Sequence, residues 1–317
     1  MVITEFGKRC LTGLVLVAFF SLIIVSRAFA GMFGVYVFDA LVLLATGIGT
    51  WEVCHACKLN NRGANAIIVM IVEALIYFFF IIGSVVLETP LVWWLQLLVS
   101  LIVIAIFALF IGLSNMIDKK FAKECMLAKK NLNKEAWLGA VDLLSMICYP
   151  GVFFACAIVL NHMVTDSVGL FGILLVVFIS CFTDIFAYCV GKLLGKGSPK
   201  MAPKISPKKT WVGFVGGLFG GILGALVAVW IISGNGDLSL RLFDLTKDAT
   251  LTQVLFIVVG LAGAVITTLG DLFASFIKRK NGIKDFGNLL PGHGGVMDRV
   301  DGIILNVPFI LLIMGII

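Results

Sequence analysis

Nine apolar segments set the limits on what this chain can fold into. They run approximately Leu11–Phe29, Gly34–Val53, Ala66–Leu87, Leu91–Leu113, Trp137–Leu160, Gly169–Leu194, Trp211–Ile232, Val254–Ile277 and Gly302–Ile317. Most reach the roughly 20 residues that an α-helix needs to cross about 30 Å of hydrocarbon. The last is short and holds Asn306 and Pro308, which predict a tilted, kinked or partly inserted element. An aqueous core cannot absorb such a pattern. Of 317 residues, 61% are apolar and 13% charged, with a mean hydropathy of +1.11. A soluble domain has about 45–50% and about 25%. The balance excludes a disordered chain, a collagen-like chain and a soluble binder of nucleic acid, and it argues against a soluble enzyme. The expected fold class is all-α, a polytopic membrane protein of about nine transmembrane helices.

Charge gives the orientation. Placing the N-terminus and the even-numbered loops on one side puts 21 of the 24 Lys and Arg residues there. Only Arg27, Arg241 and Lys247 fall on the other. Basic loops stay cytoplasmic, so the N-terminus and even loops are expected inside and the C-terminus on the far side. The alternation also supports the count of spans, because a missed helix would scramble it. Lys8-Arg9, an apolar stretch and Ala28-Phe29-Ala30 have the layout of a signal peptide. Arg27 sits poorly beside such a cleavage site, so the reading is an uncleaved first helix. Three groups follow: residues 1–90 with helices one to three, 91–165 with helices four and five and a basic loop, and 166–317 with helices six to nine.

The chemistry concentrates in the last group. Asp271, Ser275 and Lys278 are spaced i, i+4, i+7 and share one face at the end of the eighth helix. Asp298 and Asp301 are spaced i, i+3 and share a face if a helix begins there. Carboxylates among basic residues at a membrane surface suit a hard cation and phosphates. Mg²⁺ is commonly held by one or two carboxylates plus substrate phosphate oxygens. Gly292, Gly294 and Gly295 allow close approach of backbone to phosphate. The competing reading is that basic loop residues only fix topology and meet anionic lipid, while the acids pair with them.

The run from Ser275 to Asp301 contains Lys278-Arg279, Lys284-Asp285, Pro291-Gly292-His293-Gly294-Gly295 and Asp298-Arg299-Val300-Asp301. It resembles the signature of the phosphatidate cytidylyltransferases, the CDP-diacylglycerol synthases, at every position. Asp184, Ala187-Tyr188, Gly191-Lys192 and Lys204-Ile205-Ser206-Pro207-Lys208-Lys209-Thr210-Trp211 resemble a second block of that family. The resemblance covers roughly residues 180–305.

It implies a Mg²⁺-dependent enzyme of phospholipid biosynthesis in a bacterial inner membrane, making CDP-diacylglycerol and pyrophosphate from CTP and phosphatidate. On this reading Asp271, Asp298 and Asp301 hold the metal. Lys278, Arg279, Lys284 and Arg299 meet phosphate oxygens, and Lys204, Lys208 and Lys209 close over the nucleotide. Ser206, Thr210, Ser275 and His293 hydrogen-bond substrate, Asp184 belongs to the site, and Asp285 is a metal ligand or a partner of a base. A second, monovalent cation and a homodimer are compatible with the family. CTP, phosphatidate and membrane lipids are the expected partners, with no nucleic acid. A CTP-dependent lipid kinase and a nucleotide or anion transporter are the alternatives.

Three other features carry less. Cys54-His55-Ala56-Cys57 has no second pair, so a metal there is not expected. No Walker A spacing occurs. Gly213, Gly216, Gly217, Gly220, Gly221 and Gly224 read as a small-residue packing face. Glu52, Glu73 and Asp142 match no motif and receive no role.

Overall fold

The computed structural model describes residues 24–56, 147–163, 166–233, 249–290 and 294–316 as continuous stretches, with scattered positions between 18 and 22 and between 71 and 133. Apart from Ile102 and Ile106, the predicted span Leu91–Leu113 lies outside the described residues, as do Asp142, Cys57 and most of the fourth loop.

Helix α1 runs Gly31–Ala56. A π-helical turn, Ile147–Val152, leads into α2, Phe153–Asn161. Helix α3 is Asp166–Leu194, followed by strands β1, Lys200–Ala202, and β2, Ser206–Thr210. Helices α4, Trp211–Ser233, α5, Ala249–Lys280, α6, Met297–Ile304, and α7, Asn306–Ile316, complete the chain. Among the described residues, four helical stretches are long and apolar enough to cross a membrane: Gly31–Ala56, Val168–Leu194, Trp211–Ile232 and Thr250–Lys280. The protein is a mostly helical integral membrane protein.

The glycine face of the seventh predicted span is where α4 meets its neighbours. A Cβ on Gly220 or Gly224 would overlap the carbonyls of Phe182 or Phe178 on α3. On the adjoining face, a Cβ on Gly221 would stand 2.6 Å from the Gly260 carbonyl and from Ala264 Cβ on α5. Only glycine lets α4 lie this close to both helices, and the gain is backbone-to-backbone van der Waals contact. Thr183 and Asp184 lie on the same stretch of α3, so this packing sets where Asp184 stands.

Two local devices shape the loops. The sixth loop is a small antiparallel hairpin pairing Lys200 with Thr210 and Ala202 with Ser206, where the apolar pattern gave no strand. Thr210 ends the hairpin and caps α4, its Oγ1 accepting the Gly213 N–H at 3.1 Å. Helix α5 stops at a Schellman turn. Gly282 has φ +70°, its N–H reaches Arg279 O at 3.1 Å, and Ile283 N–H reaches Lys278 O at 3.0 Å.

The expected short ninth span is two helices meeting at Leu305. Pro308 is the third residue of α7, where a missing N–H costs little. The buried Asn306 donates from Nδ2 to Ser180 Oγ on α3 at 3.1 Å. Arg27, counted from sequence as a charge on the far side, is buried. Its Nε donates to Asn161 Oδ1 at 2.6 Å, and Asn161 Nδ2 donates to Asp39 Oδ1 at 2.8 Å. Asp39 Oδ2 meets His162 Nε2 at 2.6 Å. This polar cluster ties the segment before α1 to the end of α2.

Candidate active site

The last turns of α5 and the first turn of α6 place the predicted acids side by side. Helix α6 does begin at Met297, so Asp298 and Asp301 occupy one face of it. With Asp271, Lys278, Asp184, Asp285 and Arg299 they line a cavity of about 320 Å³. Among the described residues every lining side chain is ionisable: five carboxylates against one lysine and one arginine.

Two lysines hold the acids. Lys278 Nζ, buried, donates to Asp298 Oδ1 at 2.9 Å and to Asp301 Oδ2 at 3.2 Å. It also stands 5.2 Å over the Phe286 ring. Lys209, at the end of the hairpin, reaches across to Asp271 Oδ2 at 2.6 Å and to the Thr268 carbonyl at 3.3 Å. Ser275 Oγ donates to Asp271 Oδ1 at 3.4 Å one turn along α5. Burial, and then the charge of Asp271, push the Asp301 carboxyl up to about 7 against the pull of Lys278.

Asp298 differs from its neighbours. Its side chain is 2% exposed. While Oδ1 takes Lys278, Oδ2 accepts the N–H groups of Phe286 at 2.8 Å and Gly295 at 3.0 Å. Gly294 has φ +84°, and a Cβ there would stand 2.9 Å from Asp298 Oδ2. Asp298 thus folds the loop before α6 around itself, and glycine at 294 is required twice over.

The donors fit a hard divalent cation by chemistry and by charge, since carboxylates outnumber the cations lining the cavity. The Tyr149 hydroxyl beneath the site is buried and has no hydrogen-bond partner among the described residues. Its ring packs edge-on against Phe273 at 5.3 Å, two residues from Asp271. Among the described residues, no three acids, histidines or cysteines converge as a ready ligand set. Lys278 and Lys209 occupy the carboxylates instead.

Other expected residues stand apart from the cavity. Arg279 is exposed and donates to the Ile205 and Ile283 carbonyls at 3.4 and 3.0 Å, fastening the hairpin turn to the end of α5. Lys204, Lys208 and Lys284 are exposed, and Ser206 is half-buried on the hairpin. Thr210 is engaged as a helix cap. His293, with Pro291 and Gly292, lies outside the described residues. Sequence reasoning gave Glu52 no role, yet the carboxylate of this α1 residue accepts the N–H groups of Val296 and Met297. The signal available for it was an acid inside an apolar segment. Nothing in the local pattern marks Tyr149.

A model of the cytidylyltransferase family matches residues 7–317. Three curated relatives, each named phosphatidate cytidylyltransferase, match shorter stretches. That of Rickettsia bellii is 56% identical over 52 residues, 16% of this chain and 22% of the relative. That of Haemophilus influenzae is 50% identical over 54 residues, covering 17% and 19%. That of Bacillus subtilis is 35% identical over 74 residues, covering 23% and 28%. The aligned stretches therefore span under a third of each relative.

Proposed function

The chain belongs to the cytidylyltransferase family, and from that premise we propose that it transfers CMP from CTP to phosphatidate, giving CDP-diacylglycerol and pyrophosphate. The observation that carries this reading is the cavity between α5 and α6, whose described lining residues are all ionisable. Phosphoryl chemistry between two anions needs positive charge and fixed orientation more than it needs a base.

The phosphatidate phosphate is anionic before it reacts, so no side chain has to remove a proton. Its oxygen attacks the α-phosphorus of CTP in line. A new P–O bond forms, the bond from the α-phosphorus to the bridging oxygen breaks, and pyrophosphate leaves with the electron pair. Lys209, Lys278 and Arg299 supply charge for the triphosphate and the lipid phosphate. The exposed Lys204, Lys208 and Lys284 draw the anions in. Asp271, Asp298 and Asp301 are the proposed holders of Mg²⁺, and Asp298 also keeps the loop and Lys278 in place. A bound Mg²⁺ would neutralise phosphate oxygens. Ser206, Ser275, Thr210 and His293 remain proposed contacts to substrate, and Asp184 and Asp285 proposed walls of its site.

The same reading takes the chain as nine helices in a bacterial inner membrane, with the N-terminus and the active site on the cytoplasmic face where CTP is made. A homodimer and a second, monovalent cation belong to the proposal through the family. The test is the fate of CTP labelled at either end of its triphosphate, incubated with phosphatidate and the detergent-purified protein. Label from the α-phosphate in lipid, with pyrophosphate released, supports CMP transfer. Label from the γ-phosphate in lipid, with CDP released, identifies a kinase and overturns it.

A further inference from the structure

Helix α6 carries Asp298 and Asp301 on only eight residues. A helix this short gains little from its own hydrogen bonds and depends on what holds its first turn. Val296, before its first residue, has no side-chain cap of its own. Two N–H groups at this end instead meet one carboxylate from far away in the chain. Glu52 Oε1 accepts the Val296 N–H at 3.1 Å, and Glu52 Oε2 accepts the Met297 N–H at 2.9 Å.

The surrounding backbone is built around that carboxylate. At Gly287 and at Gly295, the three nearest atoms a Cβ would meet all belong to Glu52. Both glycines sit in the loop that wraps Asp298, and φ at neither is positive, so the space taken by Glu52 is what a side chain there would lack. Glu52 is 6% exposed on α1. Its neighbour Thr50 donates to both oxygens of Glu73 at 2.8 and 2.6 Å. A Cβ on Gly49, one residue earlier, would stand 3.4 Å from Met297 Sδ. The end of α1 is therefore fixed on several sides before it meets the loop. A negative group at a helix N-terminus is also favoured by the helix dipole.

We propose that Glu52 is a positioning residue for CMP transfer, clamping the loop at Gly287 and Gly295 and the first turn of α6 so that Asp298 and Asp301 keep their geometry. The inference rests on the function proposed above for this cavity. It makes α1, outside the signature stretch, a working part of the site.

The experiment uses the full-length protein in detergent, with Glu52→Ala and Glu52→Gln compared to wild type. Turnover is measured against CTP, and hydrogen exchange is followed in peptides covering residues 286–297. Misplacing catalytic groups by about 1 Å costs on the order of a hundredfold in rate. Glu52→Ala should lose about that much in kcat, with the KM for CTP within about threefold, and exchange at residues 286–297 should quicken locally. Glu52→Gln keeps one acceptor oxygen and should recover at least about tenfold over Glu52→Ala. If Glu52→Ala does not accumulate, Glu52→Gln decides, with a smaller kcat loss and the same local exchange. Wild-type kcat per folded molecule with unchanged exchange would overturn the proposal. A wild-type protein that does not turn over, with exchange still faster in the variants, would leave the clamp standing and remove the assigned reaction.

Discussion

Replacing Lys278 with Met removes the cation between Asp298 and Asp301 and keeps most of the side chain's length. Breaking a buried ion pair by deleting one partner costs about 3–5 kcal/mol. Two features of the site place this change at the low end, about 3 kcal/mol. Asp298 keeps the Phe286 and Gly295 N–H groups on its other oxygen. Asp301, with its carboxyl pushed up to about 7, can take a proton in place of the lysine. At about 2–4 °C per kcal/mol for a chain of this scale, the melting midpoint should fall on the order of 10 °C. The assay is thermal unfolding in detergent without divalent ions and then with Mg²⁺. A divalent cation can stand in for the lost lysine charge, so Mg²⁺ should raise the midpoint more in the variant than in wild type. A variant that melts within about 2 °C of wild type without divalent ions would refute the reasoning, because a buried pair cannot be so cheap to break.

Other consequences are open to direct measurement. Lys209→Ala, which removes the contact to Asp271, should raise the KM for CTP, and unchanged kinetics would take the hairpin out of the site. Gly220→Ala should force α4 off α3 and cost about 1–3 kcal/mol in a melting experiment. Gly49→Ala, whose Cβ would meet Met297 Sδ only at 3.4 Å, should be tolerated, and equal losses in the two variants would undo the packing argument. Accessibility labels at Lys130 and Lys200 should be protected in intact cells while one at Asn235 reacts, and the reverse would invert the proposed topology.

Much of this was legible in the sequence for definite reasons. The length of an apolar run is a direct readout of a spanning helix, and the helices α1, α3, α4 and α5 extend the expected segments by at most five residues at either end. The i, i+4, i+7 spacing of Asp271, Ser275 and Lys278 and the i, i+3 spacing of Asp298 and Asp301 translate into shared faces because helical geometry leaves no choice. The glycines of α4 face the neighbours their density suggested. What spacing could not express is long-range pairing. The contacts of Glu52 with Val296 and Met297 cross 244 and 245 residues of sequence. That Lys278 bridges two acids, that Asp298 is enclosed by its own loop, and that Arg279 turns away to Ile205 are also matters of three-dimensional placement. The hairpin escaped notice because Ser206–Thr210 holds Pro207, Lys208 and Lys209 and lacks the alternating apolar pattern by which strands are recognised.

The central claim is that the acidic cavity transfers CMP to lipid, and Asp301→Asn tests it most directly. The change keeps the side chain's shape and its acceptor for the Gly302 N–H, which Asp301 now bonds at 2.9 Å, but removes the charge. The measurement is transfer of α-phosphate label from CTP into phosphatidate across a Mg²⁺ titration, for wild type and variant at equal folded protein. The account predicts label in lipid from the wild type and at least about a hundredfold less from the variant, since a carboxylate that serves metal and phosphate contributes several kcal/mol to the transition state. Transfer by Asp301→Asn within about tenfold of wild type at limiting Mg²⁺ would contradict it, because a carboxylate that only paired with Lys278 would act on folding and not on the rate per folded molecule.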